Sequence, residues 1–459
     1  MRSHISLAAI ISLCSLAAGC HGSTPESFVL VVLDTTRADA ISTYGEVEGT
    51  TPTFDRLARS GLLYENAFSN ANWTVPSHAS IFTGLLPHKH GILTGREKLK
   101  APTLAETLRA KGYETAGFSE NPWLALDDGL KRGFDTFRLS GNAVQLLRQW
   151  VKERKGRKPF FLFVNLMDAH APYKVRKKNL FLPPGVTTGE ARAVDQSAAH
   201  YVCAVTPQDP DVAVLRGLYL GGVHAADAKL AVILKLLGTL PASPAPVLIV
   251  TADHGEYLGE HWRISHATGV GEPVVHVPLV IHGLPGAPPA KIKAPVQLVD
   301  ILPSILTWVH APLPSGLAGE VLPTSERRHR RESPIVSEYH DYFRLNGLMT
   351  DKLRDLEKSM KERCGPDQRL FGDMTAIIRY PEKFVWYSKY TPQLFDLDAD
   401  PLEQHDLSER RPRLAAALQQ EVDRILATRG EQTGGGQVQI DPAVREQLRA
   451  LGYFDQAKR

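Results

Sequence analysis

Three apolar runs, each followed within two residues by an aspartate, dominate the hydrophobic pattern of this chain. Residues 28–33 (FVLVVL), 160–166 (FFLFVNL) and 246–251 (PVLIVT) are rich in β-branched or aromatic side chains and lack the alternation of a half-exposed strand. They predict strands buried on both faces of a parallel sheet. Helical periodicity lies between them. Residues 53–59 predict a helix stopped at Gly61; 103–111 place Leu104 and Leu108 four apart, ahead of Gly112 and a strand at 113–118. Residues 143–154 and 212–237 are further helix candidates. Strands alternating with helices predict an α/β fold with a mainly parallel central sheet flanked by helices. Beyond residue 323 the runs shorten and charge increases. Strands at 335–339 and 383–388 predict a smaller α+β subdomain over residues 333–407, then a helical tail, 411–459, broken by Gly434-Gly435-Gly436.

The length of 459 residues fits this two-part plan, with the large α/β domain over residues 28–322. A hydrophobic fraction of 43% and a charged fraction of 22% allow a sizeable core, and a formal net charge of +3 gives no argument for nucleic-acid binding. The basic clusters at 152–158 and 327–331 read as solvated loop charge. The N-terminus changes the picture more. Arg2 precedes an apolar run, 5–16, that is short for a bilayer span, and Leu16-Ala17-Ala18-Gly19 leads into Cys20. Small residues ahead of a cysteine resemble the bacterial lipobox, whose cysteine sulfur takes a diacylglycerol. Residues 1–20 are therefore expected to be a signal peptide with lipobox, Cys20 the lipidation site and residues 21–27 a tether. The protein is expected to be exported and lipid-anchored to a bacterial membrane, in the periplasm or at the outer membrane. An oxidising compartment permits a bridge between Cys203 and Cys364, but two distant cysteines do not establish one.

Chemistry enters at the ends of the three runs. Asp34, Asp168-Ala169-His170 and Asp253-His254 follow separate strands. The carboxyl ends of strands are where open α/β sheets gather ligands. Carboxylate oxygens and imidazole nitrogens together suit a divalent cation, whereas any one aspartate alone fits a turn or cap. A fourth element is Asn72-Trp73-Thr74-Val75-Pro76-Ser77-His78. Pro76 fits the first turn of a helix, which puts Thr74 just ahead of it, near backbone N–H groups and the positive dipole end. That setting favours an alkoxide and an anionic ester, and equally suits a threonine that merely caps the helix.

These segments are recognisable as a set. Val31-Val32-Leu33-Asp34-Thr35-Thr36-Arg37-Ala38-Asp39 through Tyr44-Gly45, and Thr51-Pro52-Thr53-Phe54-Asp55-Arg56-Leu57-Ala58, resemble the opening of sulfatases. Thr74-Val75-Pro76-Ser77-His78 with Thr83-Gly84 stands where that family has C/S-x-P-S-R and T-G. Thr251-Ala252-Asp253-His254-Gly255-Glu256 with Gly259-Glu260-His261, Val299-Asp300-Ile301-Leu302-Pro303-Ser304 and Leu394-Phe395-Asp396-Leu397 are similar to its later landmarks, in the same order. The resemblance covers nearly the whole chain from residue 28. It implies an alkaline-phosphatase-like α/β domain with a small C-terminal α+β domain, and an ester hydrolase that uses a divalent metal ion (calcium, magnesium, manganese or zinc). Matched position by position, it implies Asp34, Thr35, Asp253 and His254 as metal ligands and Thr74 as nucleophile. It implies Asp168, His170, Asn121 and His261 on the substrate side, His78 and His266 beside Thr74 in the catalytic set, and His266, His261 or His170 as proton donor to the leaving oxygen.

The departures from the family pattern bear on the reaction. Sulfatases oxidise a Cys or Ser at the Thr74 position to formylglycine. Thr74 carries a methyl on Cβ, so the same oxidation cannot give the aldehyde, and no formylglycine is expected. The family's sulfate-clamping Arg is replaced by His78, its downstream Lys by His266, and its G-K-W-H segment by Gly117-Phe118-Ser119-Glu120-Asn121. Threonine nucleophiles occur in the superfamily's phosphodiesterases, phosphonate hydrolases and phosphoethanolamine transferases. The expected activity is hydrolysis of phosphate monoesters, diesters or phosphonates carried by a small molecule, glycan or lipid. The alternatives are a sulfate-ester hydrolase using unmodified Thr74, a phospholipid head-group transferase, and a non-catalytic envelope binding protein. Retention of Asp34, Asp253 and His254 argues against the last.

Overall fold

The computed structural model describes residues 26–45, 47–126, 128–176, 180–198, 208–240, 245–266, 268–326, 331–341, 369, 371–428 and 435–451. The leader with Cys20, most of the tether, Cys203, Cys364 and Gly434 lie outside the described residues.

A nine-stranded sheet runs in the order Ala290–Ile292, Leu62–Phe68, His276–His282, Val247–Thr251, Phe28–Leu33, Phe160–Leu166, Glu114–Ser119 and Thr136–Leu139, with Val296–Gln297 also paired to Leu62–Phe68. Phe28–Leu33 lies at its centre, parallel to Phe160–Leu166 on one side and Val247–Thr251 on the other. Its burial pattern explains its sequence. Phe28, Leu30 and Val32 enter one hydrophobic cluster, while Val29, Val31 and Leu33 enter the cluster on the opposite face. Neither face meets water, so no polar alternation is required. The mixed α/β architecture expected from the sequence is therefore present, and three central strands end at one edge of the sheet.

Five strands of this sheet, Leu62–Phe68, Thr136–Leu139, His276–His282, Ala290–Ile292 and Val296–Gln297, are absent from the sequence reading, and for two of them the reason is plain. His276–His282 contains Pro278, a residue that argues against a central strand; it is accommodated at a register shift between Val277 and Leu279 in the antiparallel pairing with Leu62–Phe68. Leu62–Phe68 is interrupted by half-buried Glu65 and Asn66. Helices fall near their expected places, over Pro52–Ser60, Leu104–Ala110, Ala143–Glu153 and Pro210–Leu237. Thr103 and Glu106 form a capping box that starts the second of these. Gly61 ends the first in an extended rather than left-handed conformation. Glycine is needed there for another reason: a Cβ would lie 2.4 Å from the Ile281 carbonyl oxygen of the neighbouring strand.

The second sheet is antiparallel, in the order Ile335–Tyr339, Met374–Arg379, Glu382–Tyr387 and Gln393–Asp396. The tail divides between the two parts. Helix Pro412–Ala427 lays Leu418 and Val422 on Val336, Ile377, Phe384 and Leu394 of the small sheet. Val438 and Leu448 join the core of the large domain. The glycine run, expected only to break a helix, supplies the short strand Gly435–Gln437 paired with Glu97–Lys98. No helix among the described residues is long and apolar enough to cross a membrane.

One buried histidine gives stability a pH dependence. His90 accepts a hydrogen bond at Nδ1 from the Ile92 amide (3.1 Å), and its Nε2 lies 3.1 Å from Ser80 Oγ. That pattern requires the neutral ring, and burial pushes its pKa down to about 3. The unfolded chain binds a proton below about pH 6.5 that the folded chain refuses. This contribution is complete above that pH and is lost as the pH falls toward about 3. The expected slope is up to about 1.4 kcal/mol per pH unit for this one group. Urea unfolding of wild type and His90→Gln between about pH 4 and 7 checks it. The variant should show the shallower dependence; parallel curves would remove His90 from the account.

Candidate metal and nucleophile site

Asp34 leaves the central strand with both oxygens buried. Its Oδ2 accepts hydrogen bonds from Asn121 Nδ2 (2.7 Å) and Asn165 Nδ2 (3.1 Å), whereas Oδ1 has no hydrogen-bond partner. Asp253 leaves the neighbouring strand. Its Oδ1 accepts from the amides of Thr35 (3.2 Å) and His254 (3.0 Å), and its Oδ2 again has none. His254 Nδ1 donates to the Gly255 carbonyl at 2.9 Å, which fixes the tautomer and leaves a lone pair on Nε2, also buried without a partner. One ligand atom from each of Asp34, Asp253 and His254 lies within 4.8 Å of the others. Burial raises the pKa of Asp253, an effect His78 opposes, and holds His254 near 3. Among the described residues no Lys or Arg pairs with either aspartate. Two buried carboxylates and one unprotonated imidazole, each with an unsatisfied acceptor, fit a divalent cation in composition and in charge.

Thr35, implied by the resemblance as a fourth ligand, sits in a left-handed conformation at φ 57. That turn aims its amide at Asp253, while its hydroxyl donates to the Asp34 carbonyl at 2.8 Å. In this structure its evident contribution is to orient Asp253. Unusual backbone of this kind clusters at functional sites.

Thr74 is the first residue of helix Thr74–Thr83, and Trp73 occupies the cap position with no side-chain capping bond. The capping role left open by the sequence is thus absent. The Thr74 hydroxyl oxygen instead accepts from Asn121 Nδ2 at 3.2 Å, the same amide that holds Asp34. Asn121 therefore ties the threonine to the metal-ligand cluster. His78, one helical turn on, donates from Nδ1 to the Thr74 carbonyl (2.8 Å) and lies 3.5 Å from Asp253 Oδ2; its Nε2 is buried without a partner.

Three further groups complete the cluster. The His266 ring lies 4.4 Å from that of His254 and 5.2 Å from that of His170. Its Nδ1 is 2.9 Å from Glu256 Oε1. Burial, reinforced by neighbouring His170, holds His266 near 3, and burial pushes Glu256 up to about 7. Asp168 turns elsewhere, to Lys229 at 2.6 Å and Arg176 at 3.2 Å. His261 is also not brought to the cluster. It lies 3.9 Å from Glu403 and faces the Tyr257 ring, in a separate cavity. Glu256 and Asn165 were missed as functional residues. Glu256 stands in the quoted T-A-D-H-G-E motif, so a signal existed; Asn165 is hidden in an apolar strand, and only its pairing beside Asp34 reveals it.

The chain matches the family model described as Sulfatase over residues 26–311. Arylsulfatase K of Xenopus laevis is 23% identical over 434 residues, spanning 82% of this chain and 77% of that protein. Delta 4,5-hexuronate-2-O-sulfatase of Bacteroides thetaiotaomicron is 21% identical over 472 residues, spanning 85% and 95%. The crystal structure of phosphonate monoester hydrolase of Agrobacterium radiobacter superposes with a TM-score of 0.67 at 18% identity, covering 91% of this chain and 100% of that one. At that identity the superposition speaks for a shared fold alone.

Proposed function

The chain belongs to the sulfatase family and is an ester-hydrolysing enzyme, and within that family we propose that it cleaves phosphate or phosphonate esters through unmodified Thr74. One observation carries this reading. A hydroxyl that cannot become an aldehyde is held by Asn121 against Asp34, where among the described residues no Lys or Arg bonds to Thr74, His78, Asp34, Asp253 or His254. Both sulfatases and a phosphonate monoester hydrolase stand among the proteins it is similar to. The threonine and the missing fixed cations favour phosphorus. The names of the sequence relatives favour a second reading, a sulfate ester attacked by the same hydroxyl.

Asp34, Asp253 and His254 would hold the metal ion. When bound, a divalent cation supplies Lewis-acid chemistry, lowering the pKa of a nearby hydroxyl and neutralising charge on ester oxygens. The chain's own groups do the rest. Asn121 donates to Thr74 Oγ1 and so stabilises negative charge building there. The positive end of the Thr74–Thr83 helix acts in the same sense. Thr74 Oγ1 passes its proton to the neutral imidazole of His266, whose Nδ1 meets Glu256, and forms the bond to phosphorus as the bond to the leaving oxygen breaks. The same imidazole, oriented by Glu256 and with His170 beside it, then gives that proton to the leaving oxygen. Water then attacks phosphorus and releases Thr74. Rapid quenching during turnover of a phosphonate monoester, followed by mass spectrometry, tests this. The peptide containing Thr74 should gain the mass of the substrate's phosphonyl group; full turnover with an unmodified Thr74 peptide at every time point would exclude the covalent route.

We also propose that Cys20 anchors the protein to the envelope, on the strength of the lipobox-like Leu16–Cys20 segment. An acyl chain contributes about 0.8 kcal/mol per buried CH₂, so several chains on one residue hold a protein at the membrane. Cys20→Ser is expected to move it from the membrane to the soluble fraction. Retention of the variant in the membrane fraction would contradict the anchor.

A further inference from the structure

A cavity of about 390 Å³ lies at the seam between the large domain and the small sheet, bounded by Tyr257, Trp262, Arg263, Tyr387, Phe395 and Glu403 among others. Its size is that of small-molecule sites, about 300–1,000 Å³. It is tied to the catalytic cluster by a short hairpin. Tyr257–Leu258 pairs with Ile264–Ser265, so Glu256 and His266 flank the hairpin at its open end, while His261, Trp262 and Arg263 form the far end. None of these last three has a role in the proposed ester cleavage.

Arg263 is the unusual group. Its side chain is 7% exposed, and its guanidinium lies over the Tyr257 ring at 5.3 Å. One Nη donates to the Arg369 carbonyl at 2.8 Å, the other reaches only the Tyr257 hydroxyl at 3.4 Å, and Nε is buried without a partner. Among the described residues no carboxylate forms an ion pair with it. Glu403, the carboxylate on the cavity wall, is held by Lys383 at 2.8 Å and by the Glu272 amide at 2.7 Å. Room for the guanidinium is built into the backbone, since a Cβ at Gly269 would lie 2.1 Å from Arg263 Nη1. A buried cation without a counter-charge is costly, and a planar guanidinium matches the oxygens of a carboxylate or sulfate. Beside it, Trp262 is 44% exposed, turned outward by left-handed backbone at His261 (φ 51) and Trp262 (φ 60). An exposed indole at the mouth of an aromatic-walled cavity offers a face on which a sugar ring stacks.

We propose that this cavity binds an anionic sugar, with Arg263 pairing its carboxylate or sulfate and Trp262 covering its ring. The site is distinct from the one that cleaves the ester and does not depend on which ester is cleaved. The test is calorimetric titration of the full chain carrying Thr74→Ala, with glucuronate and glucose 6-sulfate as the two charged probes and glucose as the neutral one. At least one charged sugar should bind and glucose should not. Arg263→Gln should weaken that binding by about tenfold or more. Trp262→Ala, a change at an exposed side chain that leaves thermal unfolding in place, should weaken it severalfold. His170→Ala, in the catalytic cluster, should leave the affinity unchanged. The proposal fails if glucose binds as well as the charged sugars, or if neither charged sugar binds. It fails equally if Trp262→Ala binds as tightly as its parent, or if His170→Ala abolishes binding and so places it in the catalytic cluster.

Discussion

Replacing Thr74 by alanine is expected to lower turnover by a factor on the order of 10⁴ or more, the scale on which removal of a nucleophile acts. The fold should be untouched. Trp73 rather than Thr74 occupies the cap, and no side-chain bond from Thr74 holds the helix start, so the hydroxyl can be removed without uncapping it. Thr74→Ser keeps the oxygen where Asn121 Nδ2 meets it and should retain a measurable part of the activity. Steady-state rates beside circular dichroism separate these outcomes. An alanine variant that is folded and as fast as wild type would leave Thr74 with no chemical role.

Asp253→Ala should abolish both bound metal and activity. Asp253 Oδ2 is one of the three unpartnered acceptors that Asp34, Asp253 and His254 bring together, and nothing else among the described residues replaces it. The backbone there is secured independently, because the Ser77 hydroxyl donates to the Asp253 carbonyl at 2.7 Å and Ser69 does likewise. The fold should therefore survive. Binding to the native state alone stabilises by about 2.7 kcal/mol at a hundred times the dissociation constant. Chelation should thus lower the unfolding temperature of wild type and leave that of Asp253→Ala unchanged. Elemental analysis gives a second reading, and a folded Asp253→Ala protein with full metal content would displace the site from these residues.

Much of this site could be read from the sequence because it is built where strands end. Phe28–Leu33, Phe160–Leu166 and Val247–Thr251 are buried on both faces, so their apolar runs are continuous and their boundaries sharp. The polar residue that ends each run is then conspicuous, and Asp34, Asp253 and His254 do converge. The antiparallel half of the sheet was harder. Pro278 sits at a bulge, and Glu65 and Asn66 interrupt an edge-side strand, so neither segment carries a clean period. Asn165 looked like one polar residue in an apolar run; its function depends on register, which places Val32 opposite it and Asp34 within reach of its amide. His261 and Asp168 show the converse case. Their motifs fit the family pattern, yet one lies by Glu403 and the other is drawn to Lys229 and Arg176. Motif position states what a residue is near in the chain, whereas partners brought up by the fold, such as Lys229 for Asp168, decide where its side chain goes.

The most direct test of the central claim is the selectivity of the unmodified wild-type protein, produced in a host without a formylglycine-generating enzyme, on matched esters. One substrate is a phosphate diester or phosphonate monoester, the other a sulfate ester with the same leaving group, and kcat/KM is measured for both. Thr74 acting as a threonine predicts activity without maturation and a preference for phosphorus of about tenfold or more. A preference for the sulfate ester, from protein whose Thr74 peptide has its unmodified mass, would contradict the assignment.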